Sequence, residues 1–322
     1  MPRKLRIEYE GAVYHVISRG NYRADVFGKE STRAAFLKCL DEAAVKAGWV
    51  VHAWCVMSNH YHLCLETPSP NLVAGMKWLQ ATFSLRFNRL RNERGHVFQG
   101  RYKALPVDPD AVGAVCHYIH LNPVRAGVRT MASLAGWPWT SVAWLLKERE
   151  RRKWFSPGAC LTHAGGLKDA PADRRRYLEY LGWLQEDDEG QQALRFEQMS
   201  KGWAVGEGEF KKELVRINEG AQAVLLQGGD RALAEELWEA RTLECLKSVA
   251  KTEREVTDEP KGARWKVAVA AVLKHSTTAS NPWIARRLNM GSPFRLSRLV
   301  SDCRANPKSY EPYTELCAKC KV

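Results

Sequence analysis

Long apolar runs are missing from this sequence: none approaches the roughly 18 consecutive residues that a membrane-spanning helix requires. No membrane partner is expected. The first residues, MPRKLRIEYEG, are basic but lack the apolar core and small-residue cleavage site of a secretory signal. The expected location is the cytoplasm. A disulfide framework is missing too, because the nine cysteines are odd in number and spread from Cys39 to Cys320, which suits reduced thiols in a chain without an export signal. The one tight pair, Cys317 and Cys320, supplies half of a four-ligand zinc set, with only Cys303 and His275 near it in sequence. Such a pair alone is a weak sign of zinc.

Acidic residues are scarce at both ends of the chain. Lys and Arg outnumber Asp and Glu by 20 to 12 in residues 1–150 and by 11 to 3 in 263–322, whereas 151–262 holds 18 against 21. The formal net charge of +13 is therefore segregated. Charge that served only solubility would have no reason to segregate, and two basic modules joined by a near-neutral one suit a polyanion gripped at two places. Nucleic acid is the partner this favours, with an ordinary solvated basic surface as the alternative. The length of 322 residues allows two or three units, and the composition places them at 1–147, 148–262 and 263–322.

What is present in the first 150 residues is an alternation of strand and helix patterns. Residues 12–18 (AVYHVIS) and 49–57 (WVVHAWCVM) are rich in β-branched and aromatic residues and read as strands. Between them, 31–47 reads as a helix with Ser31 as N-cap and Gly48 as its stop. A turn at Ser58-Asn59 leads to a strand, HYHLCLET, and then to a helix from about Asn71 to Arg94 closed by Gly95. A fourth strand is expected over 97–107 and a further helix over 109–121, stopping near Pro123 and Gly127. The order β-α-β-β-α-β-α predicts an α+β fold: a ferredoxin-like antiparallel sheet with helices on one face. Beyond it, a mainly helical region is expected. Its last part, 264–304, has the spacing of a helix-turn-helix, with Gly291 ending one helix and Ser292-Pro293 capping the next.

Chemistry is suggested in two places. Along the strand from His60, side chains alternate, so His60, His62, Cys64 and Glu66 share one face while Tyr61, Leu63 and Leu65 share the other. Cα atoms two apart on a strand are roughly 6–7 Å apart, so both imidazoles can reach one metal ion; two surface histidines on a polar face is the plain alternative. In the helix after the fourth strand, Tyr118 and Asn122 lie one turn apart on the flank of a buried stripe of Val112, Val115, Cys116 and Ile119. Tyr118 is either a packing residue at the edge of a core or a group that faces the histidines. Between Lys77 and Lys103, seven basic residues meet one acid, Glu93, and interleave with Trp78, Phe83, Phe87, Phe98 and Tyr102, a pattern suited to single strands. Arg19, Arg86, Arg89, Arg101 and Lys103 are candidate phosphate contacts here, and Arg286, Arg287, Arg295 and Arg298 in the last region.

The strings GAVYHVISRGNYR (11–23), CVMSNHYHLCLETP (55–68), FNRLRNERGHVFQGRYKA (87–104), CHYIHLNPVRAG (116–127) and GWPWTS (136–141), in that order and spacing, resemble the REP-associated tyrosine transposases, a branch of the HUH single-tyrosine transposases. The resemblance covers about the first 145 residues. It implies a ferredoxin-like nuclease acting on single-stranded DNA near a hairpin with Mg²⁺ or Mn²⁺, as monomer or homodimer. His60 and His62 take the HUH positions, Tyr118 that of the nucleophile, and Asn122 that of the polar residue completing the metal shell. Ser58 stands in MSNHYH where some members have Pro, and the resemblance is silent on 150–322. The expected function is a DNA strand transferase working through a 5′-phosphotyrosine. Its rivals are a domesticated regulator that binds palindromic DNA with little or no cleavage, and a metal-dependent hydrolase that uses water.

Overall fold

The computed structural model describes residues 6–217 and 231–319, and the chain divides into two compact units, Arg6–Phe210 and a second one from Lys211 onward. The division falls inside the stretch 148–262 expected to connect the ends. No helix among the described residues is long and apolar enough to cross a membrane.

The first unit begins β1 (Ala12–Arg19), α1 (Glu30–Ala47), β2 (Val50–Val56), β3 (His60–Thr67), α2 (Leu72–Arg91), β4 (Lys103–Val107) and α3 (Val112–Arg125). The strands form one antiparallel sheet in the order β2-β3-β1-β4, the ferredoxin-like arrangement. Side-chain alternation sorts its two faces. Tyr61 of β3 packs at 4.5 Å from Phe36 of α1, and Gln80 of α2 donates to Ser18 Oγ and the Tyr61 hydroxyl, so α1 and α2 cover this face. The face carrying His60, His62 and Cys64 is covered by α3, whose residues Val112–Leu121 are all buried.

Local chemistry shifts several boundaries from those the sequence suggests. Helix α1 is preceded by Lys29, with no side-chain cap, rather than by Ser31, while Gly48 does close it in the left-handed conformation (φ 68°). Asn92 (φ 52°), not Gly95, ends α2. Only Lys103–Val107 of the expected fourth strand is extended. Before it the chain turns at Gly100 (φ 67°), with Val97 and Phe98 buried, because a left-handed residue cannot continue a pleat. Helix α3 runs through Pro123 to Arg125; the missing N–H removes one helical bond, and the buried turns before it hold the helix. Gly127 closes the turn, donating to the Val124 carbonyl.

Both sheet edges are covered by irregular chain. Beside β2, Val51 N–H donates to Trp154 O, and Ser156 N–H to Val51 O. Beside β4, Val205 N–H donates to the carbonyl of Pro106, and Asp108 N–H to Val205 O. Covered edges leave no template for edge-to-edge pairing. Short helices α4 (Met131–Leu134), α5 (Val142–Leu146) and α6 (Gly158–His163), then α7 (Pro171–Glu186) and α8 (Asp188–Ala193), complete the unit. Tyr177 of α7 binds them to α3. Its hydroxyl lies 2.8 Å from both His117 Nδ1 and His120 Nδ1, while His120 Nε2 meets Ser141 Oγ at 2.8 Å and His117 Nε2 meets His163 Nδ1 at 3.0 Å. Every ring nitrogen of His117 and His120 thus has a partner inside a region without water access, as buried polar groups require.

The second unit is helical, with helices Arg231–Ser248, Glu253–Asp258, Arg264–Ser276, Asn281–Arg287, Pro293–Ala305 and Pro312–Lys319. Ser292 caps the fifth of these through Arg295 N–H, with Pro293 at its first position, as the sequence suggests. The helix 231–248 is packed into this unit: Trp238 and Trp283 meet edge to face at 5.3 Å. Cys317 is free and half-buried; its expected partner Cys320 lies outside the described residues.

Candidate active site

The register of the sheet places the site. Ile17 pairs with His62 and Arg19 with His60 across β1 and β3, while Ile17 pairs with Lys103 across β1 and β4. Directly opposed residues share a face, so His15, Arg19, His60, His62 and Lys103 project together toward α3. There Tyr118 meets them. Its ring centroid is 5.8 Å from that of His62 and 5.7 Å from that of His15, and the His60 and His62 rings are 5.0 Å apart. One turn on, the Asn122 side chain stands beside His60.

Five of the residues expected from sequence at the chemistry or beside it, Tyr118, His60, His62, Asn122 and Arg19, are therefore gathered in one place, with Lys103 at the margin. Others are not. Arg86 and Arg89 stand on α2 beyond the opposite face of the sheet, and Arg86 is held by Glu42 through two bonds of 3.0 and 2.8 Å. Arg101 is exposed, and Lys103 donates to the Ser200 carbonyl at 2.7 Å. In the second unit Arg286, Arg295 and Arg298 are exposed. Arg287 is instead clasped by Glu239 and Glu253, which hold its guanidinium firmly charged.

Three further groups stand near the centre. His15, on β1, is fully buried; its Nδ1 lies 2.7 Å from the Met199 carbonyl and its Nε2 2.9 Å from His62 Nδ1. Phe196 packs edge to face on Tyr118 at 5.6 Å. The Arg125 guanidinium stands 5.4 Å from the Tyr118 ring centroid and 5.3 Å from that of Phe196. His15 could have been found from alternation on β1 once its pairing with β3 was known. Phe196 and Met199 could not, since they lie about 80 residues beyond Tyr118 in an irregular stretch.

Burial sets the protonation of the histidines. Desolvation lowers the pKa of His15 to about 4 and, with help from the Arg19 charge, that of His60 to about 4; His62 is pushed well below the ordinary value by burial and then by its two histidine neighbours. All three are neutral near pH 7, which metal ligation by imidazole requires. His60 Nδ1–H donates to Asn59 Oδ1 at 2.6 Å, so His60 presents an unprotonated Nε2. Two imidazoles and a carboxamide form a mixed nitrogen and oxygen donor set. Among the described residues no group of three His, Cys, Asp or Glu side chains could hold a metal ion. Two imidazoles and one carboxamide are fewer than the four ligands of a closed structural site.

Residues 8–122 match a family model described as IS200-like transposase. This resemblance covers the whole sheet, α1, α2 and α3 through Asn122, so both histidines and Tyr118 fall inside it. A solved structure described as a REP-associated tyrosine transposase bound to a REP hairpin aligns with 48% of this chain and 92% of its own, at 15% identity and a TM-score of 0.38. No curated protein matches the chain. The IS200-like part ends before the stretch that supplies Phe196 and Met199, so a wall of the site comes from outside it.

A second surface lies past the end of β1. At the end of β1, beyond Arg19, Tyr22 is 92% exposed with a left-handed backbone (φ 51°). It lines a groove of ≈ 380 Å³ together with Arg94, His96, the acids Asp25 and Glu93, and Arg91, which is paired with Glu93 at 2.8 Å. Aromatic and basic groups in one groove are what a single strand with unstacked bases requires.

Proposed function

We propose that the first unit is a divalent-metal-dependent endonuclease and strand transferase for single-stranded DNA, with Tyr118 as covalent nucleophile. The observation that carries this reading is the convergence of His60, His62, Tyr118 and Asn122 on one sheet face inside the transposase-like segment. His60, His62 and Asn122 would hold Mg²⁺ or Mn²⁺, which when bound supplies polarisation of a phosphodiester and stabilises charge on its oxygens. The protein's own part is placement. The Tyr118 hydroxyl oxygen attacks phosphorus, forming the Tyr–O–P bond as the bond from phosphorus to the 3′ oxygen breaks. The proton given up by tyrosine is balanced by the one taken up by the departing 3′-OH. The 5′-phosphotyrosine is itself a phosphodiester and keeps the energy of the broken bond, so a second 3′-OH can attack it, forming the new bond to phosphorus as the Tyr–O–P bond breaks and the tyrosine oxygen takes the proton back. Arg19, Arg125 and Lys103 provide positive charge around the strand, and Tyr22 a surface for a flanking base. The unit would act near a hairpin, as the sequence resemblance implies.

His60→Ala and His62→Ala should each reduce cleavage of a hairpin-bearing single strand by about a thousandfold or more, since lost charge stabilisation is worth several kcal/mol. DNA affinity should stay within a few-fold, because phosphate contacts by Arg and Lys dominate binding. Gel-resolved cleavage and filter binding of the same variants measure the two effects; parent-rate cleavage by either variant would remove the metal site.

In the second unit the helices 281–287 and 293–305 form the proposed helix-turn-helix, with Arg286, Arg295 and Arg298 on phosphates of a duplex. Replacing all three by Ala should lower the slope of log affinity against log salt by about 2 to 3 for a duplex-containing site. An unchanged slope would show that this surface does not grip DNA. The regulator reading draws on one observation, the cover of Phe196 over a Tyr118 that is only 8% exposed; a protein that binds its site but never labels itself would favour it.

A further inference from the structure

We infer that His15 is a positioning residue: through a chain of two hydrogen bonds starting at the Met199 carbonyl, it fixes His62 in the Nδ1–H tautomer and so presents His62 Nε2 toward the ligand space as an unprotonated donor. This rests on the proposed metal-binding role of His62, but its geometric part stands without it.

A peptide carbonyl can only accept, so His15 Nδ1, 2.7 Å from Met199 O, carries a hydrogen and donates it. His15 is fully buried, and its two hydrogen-bond partners are a carbonyl and an imidazole, neither of them a counter-ion, so the ring holds one proton and its Nε2 is a lone pair. His62 Nδ1 lies 2.9 Å from that lone pair and must be the donor. The remaining nitrogen of His62, Nε2, is then bare. Imidazole ligands are commonly oriented by such an outer hydrogen bond from the second nitrogen, and loss of the partner costs about 10- to 100-fold in metal affinity. Here the partner is another histidine, itself held by the main chain. The ring planes of His15 and His62 are inclined by only 27° with centroids 5.2 Å apart, the nearly coplanar arrangement that an N–H···N bond between two imidazoles takes. His60 has its own orienting group in Asn59, and the two candidate ligands are thus set independently.

The test uses the full chain. Long-range ¹H–¹⁵N spectra of the histidine rings report tautomers directly: the parent should show His62, assigned by its loss in His62→Ala, as Nδ1–H. His15→Phe keeps the ring volume and removes both nitrogens; in it the His62 signal should move to a mixture or to Nε2–H. Mn²⁺ affinity, followed by electron paramagnetic resonance of the free ion, should weaken by about 10- to 100-fold. His15→Gln, whose Oε1 can accept at the place of Nε2, should restore the tautomer and bring affinity to within a few-fold of the parent. A parent His62 that is Nε2–H, or a His15→Phe protein with His62 still purely Nδ1–H, overturns the inference. So does a folded His15→Phe protein with parental Mn²⁺ affinity. If His15→Phe fails to fold, the parent and Gln spectra decide. If the parent shows no Mn²⁺ binding that depends on His60 and His62, the metal reading falls while the tautomer spectra still judge His15.

Discussion

Tyr118→Phe is expected to yield a folded protein that never becomes covalently attached to DNA. The ring contacts that surround Tyr118, with His62, His15, Phe196 and Arg125, belong to the ring and not to the hydroxyl, so packing survives while the attacking atom is gone. An oligonucleotide with a hairpin, labelled 3′ of the cut, should leave label on the parent through denaturation and none on the variant. If the parent cuts without retaining label, water is the nucleophile and the hydrolase reading replaces the proposed one. A labelled Phe variant would require another tyrosine. Tyr102, the tyrosine before it in the chain, is a poor choice because its hydroxyl is buried and its ring lies under Arg6. Tyr22, exposed at the end of β1, would be tested first.

A chain ended after residue 147 is expected not to fold, although it contains the whole transposase-like segment. Residues 148–210 contribute Trp154, Phe155, Leu161, Tyr177, Leu181, Leu184, Phe196 and Met199 to the same core as the sheet. Each such side chain contributes about 1.5–3 kcal/mol on burial, and the net stability of a domain is only about 5–15 kcal/mol. Loss of Tyr177 also strips a partner from His117 and from His120, both fully buried. Circular dichroism of chains ended at 147 and at 210 measures this: the shorter should melt without cooperativity and the longer should unfold in one transition. A cooperative, stable 1–147 protein would show that the later residues decorate a self-sufficient domain.

Much of the first unit was legible in the sequence because its signals are local. Alternation along HYHLCLET put both histidines on one face, and the four-residue spacing of Tyr118 and Asn122 put them on one flank. What could not be read was set by distant partners. The expectation that α3 has one buried stripe rested on its own periodicity, yet the later helices wrap the rest of it, so Val112 to Leu121 are all buried. Arg86 and Arg287 look like free basic residues in sequence, and only folding brings Glu42, 44 residues away, and Glu239, 48 away, onto them. The fourth strand was overestimated because Val97 and Phe98 are apolar for the sake of the core, not of a pleat.

The stretch that crosses the candidate site works through its main chain: Met199 offers His15 a carbonyl, and Ser200 offers one to Lys103. Side-chain scanning is blind to such groups. Met199→Leu or Ser200→Ala would keep both oxygens and report little, whereas a one-residue deletion between Phe196 and Met199 would rotate the carbonyls away while leaving nearly every side chain in the unit unchanged. Residues that matter in this way are recorded in the length of a connection rather than in its letters, and variation in that length is where differences in the reactivity of such sites are to be sought.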